Sequence, residues 1–250
     1  MSEQAIGLPL PVQSQWAVVR DCLRRVFAVM ASGMSVGFVV GFVGAITHPA
    51  SRPLEQFNVY GRDLITVLSI LMASAMCLFL ARDNLKERLQ QLIPDLTSGL
   101  RRPISLLMLL CVPLGLFGSF IWATTTPPQM TKDALHDASP IYWLALAVPI
   151  VIVGPAAEEI FYRGHVLDRL CGVMPPWKAG TISAALFSAA HIVNGILAPL
   201  LVLPLTVILT VLRLRRAGLG VCIAAHGIYN GTILLGNFLQ TYIWPLYVSS

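Results

Sequence analysis

Residues 141–172, IYWLALAVPIVIVGPAAEEIFYRGHVLDRLCG, combine a long apolar run with two adjacent glutamates and an arginine. An apolar segment of about 20 residues can cross the hydrocarbon core of a bilayer as a helix. Charged side chains inside such a segment are unfavourable in lipid, and they usually mark a functional site. This stretch therefore predicts a transmembrane helix, and it directs attention to Glu158, Glu159 and Arg163.

The whole chain is poor in charge. Charged residues make up 12% of the 250 residues, hydrophobic residues make up 56%, and the mean hydropathy is +0.74. A typical soluble domain contains about 25% charged residues, so this composition argues against a disordered chain and against an ordinary soluble enzyme. We expect an all-α, polytopic membrane bundle. The five cysteines are scattered without metal-binding spacing, and we interpret them as reduced packing residues.

Further apolar runs bring the number of predicted transmembrane helices to about seven. Within the fourth, a break is expected at Gly154-Pro155, because proline interrupts helical hydrogen bonding. The polar segment 82–103 has a helical pattern and predicts an amphipathic helix at the membrane surface or a solvated connector. The predicted spans cover residues 26–47, 64–81, 104–123, a long helix from Ile141, 179–193, 196–212 and 219–242.

The distribution of basic residues predicts the orientation. A cytoplasmic N-terminus would place 14 of the 17 Arg and Lys residues on the cytoplasmic side, and only Arg52, Arg62 and Lys132 outside. The net charge of +5 then reflects cytoplasmic loops, and no nucleic acid partner is expected. We divide the chain into a polar N-terminal tail (1–25), N-terminal transmembrane helices (26–140) and a C-terminal core (141–250).

The spacing of the charged residues separates the two glutamates. Glu159 and Arg163 are four residues apart, so they can pair on one face of a helix. Glu158 points about 100° away from Glu159, and this pair leaves it without a partner. The alternative is a charged helix end that snorkels to the interface, which suits His165 and Asp168 better than Glu158.

Two later apolar runs also contain polar side chains. Glu158 lies 17 residues before Pro175 and His191 lies 16 residues after it, so an antiparallel helix pair would place both about 20 Å from the turn. His226 and Asn230 share one face of the last span, at a depth of about 12–18 Å. We expect these four polar groups to converge at one level. The alternative is that they form hydrogen bonds between packed helices.

These positions resemble three motifs of the CAAX protease and bacteriocin-processing family, also called Abi, which includes the Rce1-like type II CAAX prenyl endopeptidases. The resemblance covers residues 141–235 and comprises three motifs in order on successive apolar helices. The motifs are EExxxR (Glu158, Glu159, Arg163), FxxxH (Phe187, His191) and HxxxN (His226, Asn230).

The resemblance implies an intramembrane peptidase of the glutamate type. Glu158 would be the general base that activates water, and His191 would hold the same water. His226 and Asn230 would stabilise the oxyanion of the tetrahedral intermediate, since N–H donors are most effective in a low-dielectric site. The paired Glu159 and Arg163 would order the site.

The expected substrate is a peptide or membrane-anchored protein, cleaved at a site that opens to the cytoplasm from a multi-pass protein of a bacterial plasma membrane. No cofactor is expected. The alternative is a zinc site formed by Glu158, His191 and His226 with one open position. A non-catalytic immunity or scaffold protein on the same fold is a second alternative. A transporter is disfavoured because the chain has no repeated halves.

Overall fold

The computed structural model describes residues 12–47, 59–125 and 140–242, and the regular secondary structure within these ranges is entirely helical. This confirms the all-α class. Parts of the predicted tail, together with Arg52 and Lys132, lie outside the described residues. The helices are α1 (Val12–Thr47), α2 (Val59–Leu80), α3 (Leu85–Leu100), α4 (Cys111–Thr125), α5 (residues 140–171), α6 (Pro176–Ala190), α7 (Ala198–Leu214) and α8 (Leu219–Tyr242).

Three helical segments in the described ranges are long and apolar enough to cross a membrane. They are Pro103–Ile121, Trp143–Cys171 and Leu219–Gln240. The first of these begins as a 3₁₀ helix that leads into α4. The consecutive helices α2 and α3 make a fourth candidate if their bend of 66° is counted within one span. Helix α7 is apolar but has 17 residues, and α6 has 15. The structure therefore supports three to four spans, and the predicted number of seven stays a prediction.

The described part of the N-terminal segment is helical. Helix α1 begins at Val12, inside the segment 1–25 that the sequence predicted to be a polar tail. Cys22 is completely buried in the helical core. Asp21 binds Arg169 of α5 at 3.1 Å. The beginning of α1 thus packs on the C-terminal core.

Helix α5 continues through the predicted break at Gly154-Pro155. Two π-helical segments, Val148–Val153 and Ile160–Val166, interrupt its α-helical pattern. A π-helix bonds each N–H to the carbonyl five residues earlier, and Gly154 N–H accordingly donates to Pro149 O. Pro155 therefore changes the hydrogen-bond register and does not end the helix. Short π-helical segments of this kind are common at functional sites.

Helix α3 packs tightly on the start of α8, unlike a solvated connector. Asp95 Oδ2 accepts a hydrogen bond from Leu219 N–H at 3.1 Å, which satisfies a free donor of the first turn of α8. A Cβ atom at Gly220 would collide with the Leu92 carbonyl, so only glycine permits this close approach. This contact fixes the position of the N-terminal end of α8. His226 lies further along the same helix.

The cap on α8 predicts a specific loss of stability. Asp95→Ala removes the acceptor for Leu219 N–H, and loss of such a cap lowers the free energy of unfolding by about 1 kcal/mol. Thermal unfolding of the purified chain in detergent measures the effect. Gln91→Ala changes an exposed residue of the same helix and serves as the control. Equal melting temperatures for Asp95→Ala and Gln91→Ala would contradict the role of the cap.

Candidate active site

Glu159 binds two positively polarised side chains through one carboxylate oxygen. Its Oε1 accepts a hydrogen bond from Arg163 Nη1 at 3.0 Å and another from His226 Nδ1 at 3.0 Å. The side chains of Glu159 and Arg163 have no exposed surface. The ion pair expected from the i,i+4 spacing is therefore present. The additional bond to His226, which joins α5 to α8, has no counterpart in the sequence pattern.

Arg163 extends this network to two more helices. Its Nη2 donates to Thr206 Oγ1 of α7 at 2.5 Å. Its guanidinium lies over the ring of Phe187 in α6, 4.2 Å from the ring centroid, in cation–π geometry. A buried arginine needs a compensating charge and hydrogen-bond acceptors. Glu159 supplies the charge and Thr206 an acceptor, whereas the buried Nε has no hydrogen-bond partner among the described residues. Arg163 thus joins α5 to α6 and α7.

Glu158 lies on a different side of α5 and faces a cavity of about 310 Å³. Its side chain is 31% exposed. Its Oε2 atom is buried and has no hydrogen-bond partner among the described residues. His226 Nε2 lies 3.9 Å from Oε2, which is longer than a hydrogen bond. The expectation that the ion pair would leave Glu158 unpartnered thus agrees with the structure.

His191 lines the same cavity as Glu158. Its Nδ1 donates to the Phe187 carbonyl at 2.9 Å, since a carbonyl can only accept. In a neutral ring this leaves Nε2 as an acceptor. The sequence placed His191 inside a span over residues 179–193, but α6 ends at Ala190 and His191 opens a 3₁₀ turn. That turn ends at Gly195, whose φ of 130° favours glycine.

His226 of α8 lies close to Glu158. It is 2% exposed, and its ring meets the ring of Phe187 edge-on at a centroid distance of 5.7 Å. Because Nδ1 donates to Glu159, Nε2 is the nitrogen that lies toward Glu158. The imidazole of His226 is therefore held by Glu159 through Nδ1, and its Nε2 lies toward Oε2 of Glu158.

Asn230 lies one turn after His226 and binds the backbone of α5. Its Nδ2 donates to the Ile150 carbonyl at 2.9 Å. That carbonyl lies in the first π-helical segment, where Gly154 N–H bonds elsewhere and Pro155 has no N–H. The carboxamide of Asn230 thus satisfies a carbonyl that its own helix leaves free, and one of its two amide hydrogens is engaged there.

The two residues at the end of α5 that the alternative assigned to an interfacial cluster differ in exposure. Asp168 is exposed and binds Arg213 at 3.0 Å and Arg88 at 3.4 Å. His165 is only 5% exposed, and its ring stacks on Phe161 at 6.1 Å. The snorkelling interpretation was therefore wrong for His165, because the second π-helical segment is buried throughout.

The structure brings Glu158, His191 and His226 to one place, and it holds Asn230 against α5. The chemical roles assigned to these residues stay predictions. In the ranges that the structure describes, no group of three or more His, Cys, Asp or Glu side chains is arranged to hold a metal ion. Thr206, which binds Arg163, was missed by the sequence analysis, since a lone threonine in an apolar run carries no motif.

The buried network predicts strong coupling between its charged members. Arg163→Met leaves the Glu159 charge buried without its partner, and breaking a buried pair in this way lowers the free energy of unfolding by about 3–5 kcal/mol. Adding Glu159→Gln removes the unpaired charge, so the double variant should recover part of the loss. Denaturant unfolding in mixed micelles measures both variants.

The control for this network is Arg169→Met, which breaks the partly exposed ion pair with Asp21. Exposed pairs contribute about 0–1 kcal/mol, so this variant should stay close to the parent chain. Additive effects of Glu159→Gln and Arg163→Met would show that the two side chains are not coupled.

Comparison with known families agrees with this geometry. A family model for type II CAAX prenyl endopeptidase Rce1-like proteins matches residues 140–232. The matched range begins with the first residue of α5 and contains Glu158, His191, His226 and Asn230. No curated protein and no solved structure matches the chain. Residues 140–232 are therefore similar to the Rce1-like type II CAAX prenyl endopeptidases.

Proposed function

We propose that the chain is an intramembrane endopeptidase, similar to CAAX prenyl protease 2, that hydrolyses a membrane-proximal peptide or protein with water activated by Glu158. The observation that carries this proposal is the unpartnered, buried Oε2 of Glu158 in a cavity shared with His191. The Rce1-like domain supports the reaction class, and the apolar helices support a membrane location.

The first step of the proposed reaction is the attack of water. The Glu158 carboxylate accepts one proton as the water oxygen forms a bond to the substrate carbonyl carbon. His191 Nε2 accepts a hydrogen bond from the other water hydrogen, and Phe187 O fixes the ring through Nδ1. The proton held by Glu158 then passes to the nitrogen of the leaving amine as the carbon–nitrogen bond breaks.

The oxyanion of the tetrahedral intermediate would bind to His226 Nε2. Because Nδ1 already donates to Glu159, donation from Nε2 requires a ring with hydrogen on both nitrogens. The Glu159 carboxylate compensates the positive charge of that ring. The second amide hydrogen of Asn230 is a further donor, and the bond to Ile150 O orients its carboxamide. N–H groups held in place before reaction stabilise the oxyanion without further rearrangement.

The membrane arrangement completes the proposal. Phe117 and Phe120 of α4 are 56% and 58% exposed, as lipid-facing residues of a membrane helix are. We propose seven spans, a cytoplasmic N-terminus and a cavity that opens toward the cytoplasm of a bacterial cell. The proposed enzyme needs no cofactor and has no nucleic acid partner.

Substitution of the base is the direct test. Glu158→Gln keeps the shape of the side chain but cannot accept the proton, so the rate constant for hydrolysis should fall by about 10²–10⁴-fold. Processing of a candidate substrate in membranes containing the full chain measures the rate. Glu87→Gln, at an exposed residue of α3, is the matched control and should leave the rate unchanged. Processing that survives Glu158→Gln would favour a non-catalytic scaffold or immunity protein.

The zinc alternative has a separate test on the same preparation. Glu158, His191 and His226 would be its ligands, and zinc would activate the water in place of a free carboxylate. The metal-free proposal predicts full hydrolysis after dialysis against a chelator. Loss of hydrolysis in the chelator, restored by stoichiometric zinc, would overturn it.

A further inference from the structure

A second cavity lies at the end of α2 and shares no lining residue with the cavity that contains Glu158. It measures about 310 Å³ and is bounded by α1, by the end of α2 and by the short 3₁₀ helix Arg82–Asn84 that follows α2. Charged side chains thus surround an opening at the point where the apolar helix α2 is followed by the polar helix α3. The lining residues are Asp21, Arg25, Phe79, Leu80, Arg82 and Asp83.

The two aspartates of this cavity differ in their partners. Asp21 Oδ2 accepts a hydrogen bond from Arg25 Nε at 3.0 Å and pairs with Arg169 Nη2 at 3.1 Å, so two cations share one carboxylate. The carboxylate of Asp83 is exposed, and it forms no hydrogen bond or ion pair with another described residue. Asp83 is therefore the acceptor of this cavity that is free to bind a ligand.

Both arginines that line the cavity keep donors for a ligand. Arg25 uses Nε for Asp21 and Nη1 for the Leu80 carbonyl at 2.8 Å, whereas a guanidinium has five N–H groups. The guanidinium of Arg82 lies over the ring of Phe79, 4.7 Å from the ring centroid, and no described carboxylate pairs with it. Guanidinium groups held in place in this way bind the oxygen atoms of a phosphate.

The cavity therefore offers groups of both charges to a ligand. Arg25 and Arg169 together outweigh Asp21, and Arg82 adds further positive charge, which favours a phosphate. A ligand that is only an anion would leave the charge of Asp83 uncompensated. A phosphate ester that also carries a primary ammonium satisfies both. Since about 150 Å³ holds a benzene molecule, a cavity of about 310 Å³ has room for a small group of this kind.

An exposed apolar stripe leads from this cavity along α2. The stripe consists of Leu68, Met72, Ala75 and Phe79, which are all exposed and lie at the spacing of one helix face. At a rise of 1.5 Å per residue, the stripe is about 16 Å long. This is about half of the roughly 30 Å thickness of the hydrocarbon core of a bilayer, or the depth of one leaflet. Acyl chains of one leaflet can therefore lie along it.

We propose that this cavity binds the headgroup of a phospholipid that carries a phosphate and a primary ammonium, such as phosphatidylethanolamine, with its acyl chains along the stripe. The phosphate binds Arg25 and Arg82, and the ammonium donates to Asp83. Long cationic side chains at the end of a membrane helix reach the level of the headgroups, which suits Arg82. This inference rests on the proposed crossing of the membrane by α2 and is independent of the peptidase function.

Native mass spectrometry of the full chain, released from detergent micelles, measures the Kd of added lipid. The probes are phosphatidylethanolamine, phosphatidylcholine and phosphatidylglycerol with identical dioleoyl chains. A quaternary ammonium cannot donate a hydrogen bond, and phosphatidylglycerol has no cation. We therefore expect the Kd of phosphatidylethanolamine to be about tenfold lower than that of either other lipid. Asp83→Asn should remove most of this preference, and Arg82→Gln should raise the Kd of all three lipids.

The matched controls are Glu87→Gln and Lys86→Gln, which remove one charge of each sign from α3. Both residues are exposed and do not line the cavity, so all three Kd values should stay unchanged. Equal Kd values for the three lipids in the parent chain would overturn the site. A preference that survives Asp83→Asn would overturn it as well.

Soluble glycerophosphoethanolamine distinguishes a lipid from a free phosphate ester. It carries the headgroup without acyl chains, so the stripe predicts a Kd at least about a hundredfold higher than that of the lipid. Equal Kd values for the two compounds would overturn the lipid as the ligand. Because binding is measured without hydrolysis, failure of the lipid site leaves the peptidase proposal unaffected, and Glu158→Gln tests that proposal separately.

Discussion

The arrangement of the site depends on one buried carboxylate oxygen, Glu159 Oε1, that is shared by Arg163 and His226. An ionised group in a water-poor interior is tolerated only when opposite charge and hydrogen-bond donors surround it. Arg163 lies on α5 itself and His226 lies on α8, so the need to satisfy this oxygen fixes where α8 lies against α5. Through Arg163 the same requirement reaches Phe187 of α6 and Thr206 of α7.

This constraint gives the adjacent residues Glu158 and Glu159 different surroundings. Consecutive residues of a helix point about 100° apart. When Glu159 points into the hydrogen-bond network, Glu158 therefore points toward the cavity. Each glutamate has one buried oxygen without a partner among the described residues, but Glu159 binds Arg163 and His226 through its other oxygen, and only Glu158 lines the cavity. The backbone of α5 also helps to position α8. Pro155 and a π-helical segment leave the Ile150 carbonyl free to accept a hydrogen bond from Asn230.

Features set by local spacing could be predicted from the sequence, and features set by packing could not. The Glu159–Arg163 pair follows from a four-residue spacing, and helix α3 follows from an amphipathic pattern. The Glu159–His226 bond joins positions 67 residues apart and depends on how α8 packs. His191 lies in a turn because α6 ends at Ala190. The part of the Glu158 cavity that α1 and α2 line is also tertiary, because lipid-facing and cavity-facing apolar residues look alike in sequence.

The shared oxygen of Glu159 can be tested directly by ¹⁵N NMR of the histidine-labelled chain, with His226→Ala used to assign the signal of His226. We expect Nδ1 of His226 to carry a hydrogen, because it donates to Glu159. A neutral His226 with its hydrogen on Nε2 would contradict this hydrogen bond, because Nδ1 could then not donate to the carboxylate.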